Sequence, residues 1–229
     1  MFELLSNLNL TPFFISFKLA FITTAILFII ALPLSWWLSQ TKSKIKPLIE
    51  AFSALPIVLP PSVIGFYLLW ALSSNSFIGQ FFEEIFGIQL VFNFTGLVIA
   101  SCFYSLPFMV QPLQSGFENL NKNMIEASYI SGKSKLKTLI KVALPNIKPS
   151  LLTALIVTFA HTVGEFGVVL MIGGSIPGET KVASVAIYEF VEILDYNMAH
   201  IYSAIMLVLS FLVLLGVYIF NSKQKKSFI

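Results

Sequence analysis

The sequence predicts an all-α integral membrane protein, and three observations carry that prediction. Hydrophobic residues make up 57% of the 229-residue chain and charged residues only 11%, against about 25% charged residues in a soluble domain that must cover its surface. The apolar residues fall in runs long enough for a helix to cross a bilayer, which takes about 20 residues. Those runs are continuous, whereas the strands of a membrane β-barrel alternate in polarity at every residue. All of them fit one transmembrane domain spanning residues 1–229.

The runs cover about residues 13–38, 50–72, 94–116, 150–171 and 200–220, which gives five predicted transmembrane helices. All 14 basic residues are lysine, and 12 of them lie in three segments: Lys42, Lys44 and Lys46; Lys122 through Lys148; and Lys223, Lys225 and Lys226. The two other loops, 73–93 and 172–199, hold Lys181 against Glu83, Glu84, Glu179, Glu189, Glu192 and Asp195. Lysine-rich loops stay in the cytoplasm, so the amino terminus is expected outside and the carboxyl terminus inside. The first span is expected to be retained, because Glu3 stands where a cleavable signal would be basic.

In the first outer loop, Phe77, Ile78, Phe81, Phe82, Ile85 and Phe86 recur at helical spacing. They predict a short amphipathic helix that lies on the outer membrane surface or belongs to an outer gate. Cys102 lies alone in an apolar run, so neither a disulfide nor a metal site is expected.

Residues 118–149 form a long lysine-rich loop with the pattern of two short helices. The first is expected from Asn119 to Ser131, ending at Gly132, a residue that enters the left-handed conformation without strain. Ser134 would cap the second, which presents Leu136, Leu139, Ile140 and Ala143 on one face and ends at Pro145. Such a knob suits docking into a partner's groove or resting on lipid headgroups, and spacing alone favours neither.

Glu126-Ala127-Ser128, then Gly132, then Leu144-Pro145 resembles the EAA motif of ATP-binding cassette importer permeases, with Ser128 in place of the usual second alanine. The segments Leu55 to Gly65, Gly164-Glu165-Phe166-Gly167 and Ile176 to Thr180 are similar to the molybdate branch of that family, and sulfate permeases share much of the pattern. The resemblance implies a type I importer permease fold in the bacterial cytoplasmic (inner) membrane, translocating molybdate, or alternatively tungstate or sulfate. It implies that loop 118–149 couples the channel to an ATPase. Implied partners are a second copy of the chain, a cytoplasmic ATPase dimer that binds ATP and Mg, and an external molybdate-binding protein. No catalytic residue, cofactor, metal or nucleic acid is expected for this chain itself, and no phosphate-binding G-x-x-x-x-G-K-[ST] loop occurs in it. Against a membrane-embedded enzyme, the spans lack paired aspartates, an H-E-x-x-H motif and a convincing Ser/His arrangement, and the EAA-like loop argues against a channel or secondary transporter.

Polar residues inside the spans are the candidates for a translocation path or gate. Ser62, Ser101, Ser105 and Thr158 would line a pore or serve helix contacts. Gly164 and Gly167 flank Glu165, a carboxylate that would repel an anion and is expected to face protein or water. His161 lies one turn before Glu165, so the two are expected to pair structurally or to meet at a gate. Lys18 is expected to snorkel toward the outer surface. Pro33, Pro56, Pro60, Pro61 and Pro107 are candidate hinges, because proline removes a helical N–H donor.

Overall fold

The computed structural model describes residues 8–226, so Glu3 lies outside it. Helix α1 (Thr11–Gln40) starts where the Asn9 side chain accepts the Thr11 N–H at 2.9 Å, with Pro12 in the first turn, where its missing donor costs nothing. Pro33 lies inside α1 without ending it. At 30 residues the helix is roughly 45 Å long, more than a bilayer core requires.

The predicted second span is not one straight helix. Instead α2 (Lys46–Val58) and α3 (Pro61–Leu72) meet at a bend of 114°. The cause is local: each proline drives the residue before it out of helical geometry, and Leu59 and Pro60 both adopt extended backbone angles. Pro56 is absorbed in the last turn of α2, and Pro107 lies inside a later helix. The hinge expectation thus holds as a break only at Pro60-Pro61.

Helix α4 (Phe77–Phe86) is the predicted amphipathic segment. Ser76 accepts the Gly79 N–H at its start, and Gly87 in the left-handed conformation ends it. Phe77, Phe81 and Ile85 are exposed, while Phe82 packs toward the core. Helix α5 (Phe94–Glu118) then runs through the bundle, capped by Asn93.

The loop contributes α6 (Lys122–Ile130) and α7 (Lys135–Asn146), and α7 joins α8 (Lys148–Val163) through Ile147 at a bend of 83°. The predicted fourth span is also interrupted: residues 164–166 separate α8 from α9 (Gly167–Gly173). Helices α10 (Ala183–Glu192) and α11 (Tyr196–Lys226) complete the chain. Among the described residues three helices are long and apolar enough to cross a membrane alone, and the bent pairs α2–α3 and α7–α8 raise the total to at most five; the second pair starts inside loop 118–149 and so differs from the expected fourth span over 150–171.

Helices α1, α5 and α8 pack against one another as the centre of the bundle. Their contacts are divided into two apolar cores. A lower core, at the end carrying loop 118–149, contains Leu27, Ala31, Met109, Leu113, Phe117 and Ala154 together with Ile125, Leu139 and Ala143 of the loop helices. An upper core contains Ile15, Leu19, Leu97 and Ala100 with Ile64 of α3 and Val168, Val169 and Ile172 of α9. Helix α10 closes on α1 and α11, and the Ser16 hydroxyl of α1 accepts the Ala183 N–H at 2.9 Å.

Candidate functional site

The loop helices form as their local sequence requires. Asn121 caps α6 by accepting the Asn123 N–H at 2.9 Å, two residues beyond the expected start, because α5 continues to Glu118. Gly132 takes φ +77°, the left-handed turn expected of it, and Ser134 accepts the Lys137 N–H. Pro145 does not end the second helix. A π turn over Leu139–Ala143 precedes it, Leu144 donates to the Leu139 carbonyl, and the helix continues to Asn146. The wider turn leaves Pro145 near the start of a fresh turn, where its missing N–H is tolerated.

The expected apolar face of α7 divides in two. Leu139 and Ala143 are buried in the lower core, but Leu136 and Ile140 are exposed at 65% and 53%. The packed face is turned toward Thr138, whose Oγ1 is 2.9 Å from Oγ of Ser128 with both residues buried. Ser128, the departure from the motif, therefore ties α6 to α7. Glu126, Ala127, Gly132 and Pro145 are exposed, and Leu144 is half-buried. With Ile130, Leu136 and Ile140 they give the knob an apolar outer surface studded with Lys133, Lys135, Lys137 and Lys141. A groove of about 480 Å³ runs between the end of α1 and α6, lined by Lys42, Lys122 and Glu126 among others.

Several buried polar residues of the spans fall between the two cores, while Ser16 and Ser35 of α1 lie nearer its ends. On α1, Thr23 and Thr24 come between Leu19 of the upper core and Leu27 of the lower. Ser101 and Ser105 of α5 come between Ala100 and Met109. Thr158, Thr162 and Glu165 follow Ala154 on α8 and precede Val168 of α9. Ser105 and Thr162 are bonded at 2.9 Å, and Thr162 also donates to the Thr158 carbonyl. The Thr24 and Thr158 hydroxyls and His161 Nε2 are buried without a hydrogen-bond partner among the described residues, while the Ser101 hydroxyl stands beside the Glu165 carboxyl and the Thr23 hydroxyl beside the Cys102 thiol.

His161 does not pair with Glu165. Its ring stacks on Phe108 and Tyr104 of α5, with centroids 3.9 and 4.9 Å away, which draws it off the face that carries the carboxyl. Glu165 is 3% exposed at the α8–α9 break, and the Ser184 hydroxyl donates to its main-chain carbonyl at 2.6 Å. Ser62 and Gly164 stand on the surface of the chain, whereas Ser101, Ser105 and Thr158 are inside its own bundle. Gly167 is at a close approach: a Cβ there would sit 2.9 Å from Cβ of Pro61. The two helix breaks therefore touch. Lys18 is exposed and lies over the Phe94 ring at 4.3 Å.

Sequence reasoning missed Thr138, Thr23, Thr24 and Thr162. Hydroxyls repeated four residues apart in apolar helices, at 101 and 105 and at 158 and 162, were the available signal.

Residues 31–226 match the family described as "Binding-protein-dependent transport system inner membrane component". The Molybdenum transport system permease protein ModB of Azotobacter vinelandii is 44% identical over 214 residues, 93% of this chain and 95% of that one. A sulfate transport system permease protein, CysT of Salmonella typhimurium, is 31% identical over 204 residues, 89% of this chain and 73% of that one. Among solved structures, the inward-facing MetNI methionine ABC transporter matches with a TM-score of 0.69 at 18% identity, covering 89% of this chain and 90% of that one. A bacterial ABC transporter that imports the acidic polysaccharide alginate matches with a TM-score of 0.77 at 14% identity, covering 93% and 79%. At such identities the structural likeness shows the fold, and the full-length sequence matches carry the kinship. With its broken spans, its helical loop and a match over residues 31–226, the chain belongs to the inner membrane components of binding-protein-dependent transport systems.

Proposed function

We propose that this chain is the permease subunit of an ATP-driven importer that carries molybdate across the cytoplasmic membrane. The observation that carries the substrate is the 44% identity to a molybdenum permease over nearly the full length of both chains. The sulfate permeases, at 31% for the Salmonella protein, supply the second reading. Two copies of the chain would enclose the path. Two ATPase subunits that bind ATP and Mg would drive it, and an external binding protein would deliver the anion. The alginate transporter, solved with a substrate-bound periplasmic protein, supports this general arrangement.

The loop geometry supports a coupling role. Its helices share the lower core with α1 and α5 and are pinned to each other by Ser128 and Thr138, so a partner pressing on the outer face moves them as one body. Only Ile147 separates α7 from α8, and α8 ends at the break beside Glu165. A displacement at the knob is thus delivered along α8 to the middle of the bundle. Close-packed interiors transmit such displacements because they deform little.

Ser62 and Gly164 are proposed to face the path, with Gly167 holding α9 against α3. The chain has no arginine, so attraction for the anion would be weak and release easy, as suits a channel that receives its cargo from a separate binding protein. Uptake of labelled molybdate, tungstate and sulfate by vesicles containing the whole importer tests the assignment. Molybdate is expected to be preferred; far better sulfate uptake would overturn the substrate, and absence of any ATP-driven uptake would overturn the transporter class.

A further inference from the structure

Toward the end that carries loop 118–149, α5 shows two unlike faces. Met109, Leu113 and Phe117, four residues apart, lie in the lower core. Gln111, Gln114, Ser115 and Glu118, at i, i+3, i+4 and i+7, form a polar stripe on another face. Helix α2 packs on α5 and brings Glu50, Ser53 and Ala54 to that stripe. Between the two helices lies an open recess of about 430 Å³. Its polar groups form a network: Lys46 Nζ is 3.0 Å from the Glu118 carboxylate and 3.5 Å from that of Glu50, and the Gln114 amide donates to both carboxylates.

The surroundings of this stripe follow from what each alternative would cost. Gln111 and Gln114 belong to a predicted span, and amides and carboxylates at that depth face protein or water, because hydrocarbon offers them no partner. A dry protein contact would strip water from an ion-pair network in which the Lys46, Glu50 and Glu118 side chains keep 26%, 35% and 43% exposure. Such complete desolvation is seldom repaid. Water is the environment that satisfies the stripe. Two carboxylates against one ammonium then leave the recess net negative, and the flanking Lys42 and Lys122 line the neighbouring groove instead.

We propose that this recess is the water-filled cytoplasmic mouth of the anion's path, and that its excess of carboxylate promotes release of the anion and opposes its re-entry. The far end of α2 leads to the Pro60-Pro61 break and to Ser62, so the recess continues the surface assigned to the path. A divalent anion feels a single carboxylate a few Å away even in water, and dissolved salt screens that repulsion. The proposal rests on the reading of the chain as an ATP-driven permease and adds to it a direction imposed by charge.

The test uses the whole importer in inside-out vesicles, with Gln111→Cys in a Cys102→Ser background. Cationic and anionic methanethiosulfonate reagents of similar size are added on the cytoplasmic side, and their rates are divided by those for a free thiol in the same buffer. The cysteine should react, and the cationic reagent should be favoured several-fold. Adding Glu50→Gln should lower that preference, as should raised salt. No reaction, either without nucleotide or with a non-hydrolysable ATP analogue, would show the stripe covered and overturn the proposal. Equal rates, or an advantage for the anionic reagent, would remove the role of charge. Molybdate loaded on the cytoplasmic side should inhibit ATP-driven uptake several-fold more strongly in the Glu50→Gln importer than in the unaltered one, and equal inhibition would refute the opposition to re-entry. If the unaltered importer shows no ATP-driven uptake, the permease reading itself fails, a result distinct from the labelling rates, which need no transport.

Discussion

Ser128 stands where the family motif has alanine, and its hydroxyl meets Thr138 at 2.9 Å inside the loop. Ser128→Ala would restore the motif yet leave the Thr138 hydroxyl buried and unpaired, at a cost of about 1–3 kcal/mol. The thermal midpoint should fall, and adding Thr138→Val should recover most of it; an unchanged midpoint in the single variant would show that the bond does no structural work. Gly132 makes a different demand, because its φ of +77° suits a residue without a Cβ. Nothing within 4 Å would obstruct a side chain there, so the whole penalty of Gly132→Val is conformational, about 1–2 kcal/mol. The turn should reopen, leaving ATP hydrolysis poorly linked to uptake, while Gly132→Asn should be milder. Normal coupling in the valine variant would remove the loop from the mechanism. Both side-chain identities are legible in the sequence, but the partnership of Ser128 with Thr138 is not, since it depends on how two helices cross.

Element boundaries follow local chemistry closely. Asn93, Asn121 and Ser134 cap the helices that follow them, and Gly87 and Gly132 turn the chain after the helices that precede them. Helix α10 is an exception that local sequence could not reveal, since Val182 provides no side-chain cap and Ser16, 167 residues away, accepts the Ala183 N–H. Ser16→Ala should therefore cost about 1 kcal/mol. Faster hydrogen exchange in the first turn of α10 is the local readout expected, and unaltered exchange there would show the cap to be dispensable. Hydropathy windows marked two spans as continuous that are in fact broken at Pro60-Pro61 and at 164–166. A window average registers apolar content and is blind to direction. The double proline was a visible warning. The break after Gly164 has no comparable local signal, and its position is set by contact of Gly167 with Pro61 and by the Ser184 bond to the Glu165 carbonyl.

At the scale of the molecule, orientation rests on the lysine pattern, and labelling from one side of the membrane tests it. A cysteine placed at Gln80 in a Cys102→Ser background should react with an impermeant thiol reagent in intact cells, and one at Lys137 only after permeabilisation; the reverse pattern would invert the topology. By itself the sequence determined membrane residence, helical class, the position of the helical loop 118–149 and kinship with importer permeases. Each of these depends on composition, periodicity or a short contiguous motif, which act over one helix or less. Tertiary structure alone decided that the Ser101 hydroxyl of α5 stands beside the Glu165 carboxyl, that His161 stacks on Phe108 instead of pairing with Glu165, and that two separate helix breaks touch. The physical reason is that these contacts join helices far apart in sequence, and only the packing of those helices brings the residues together.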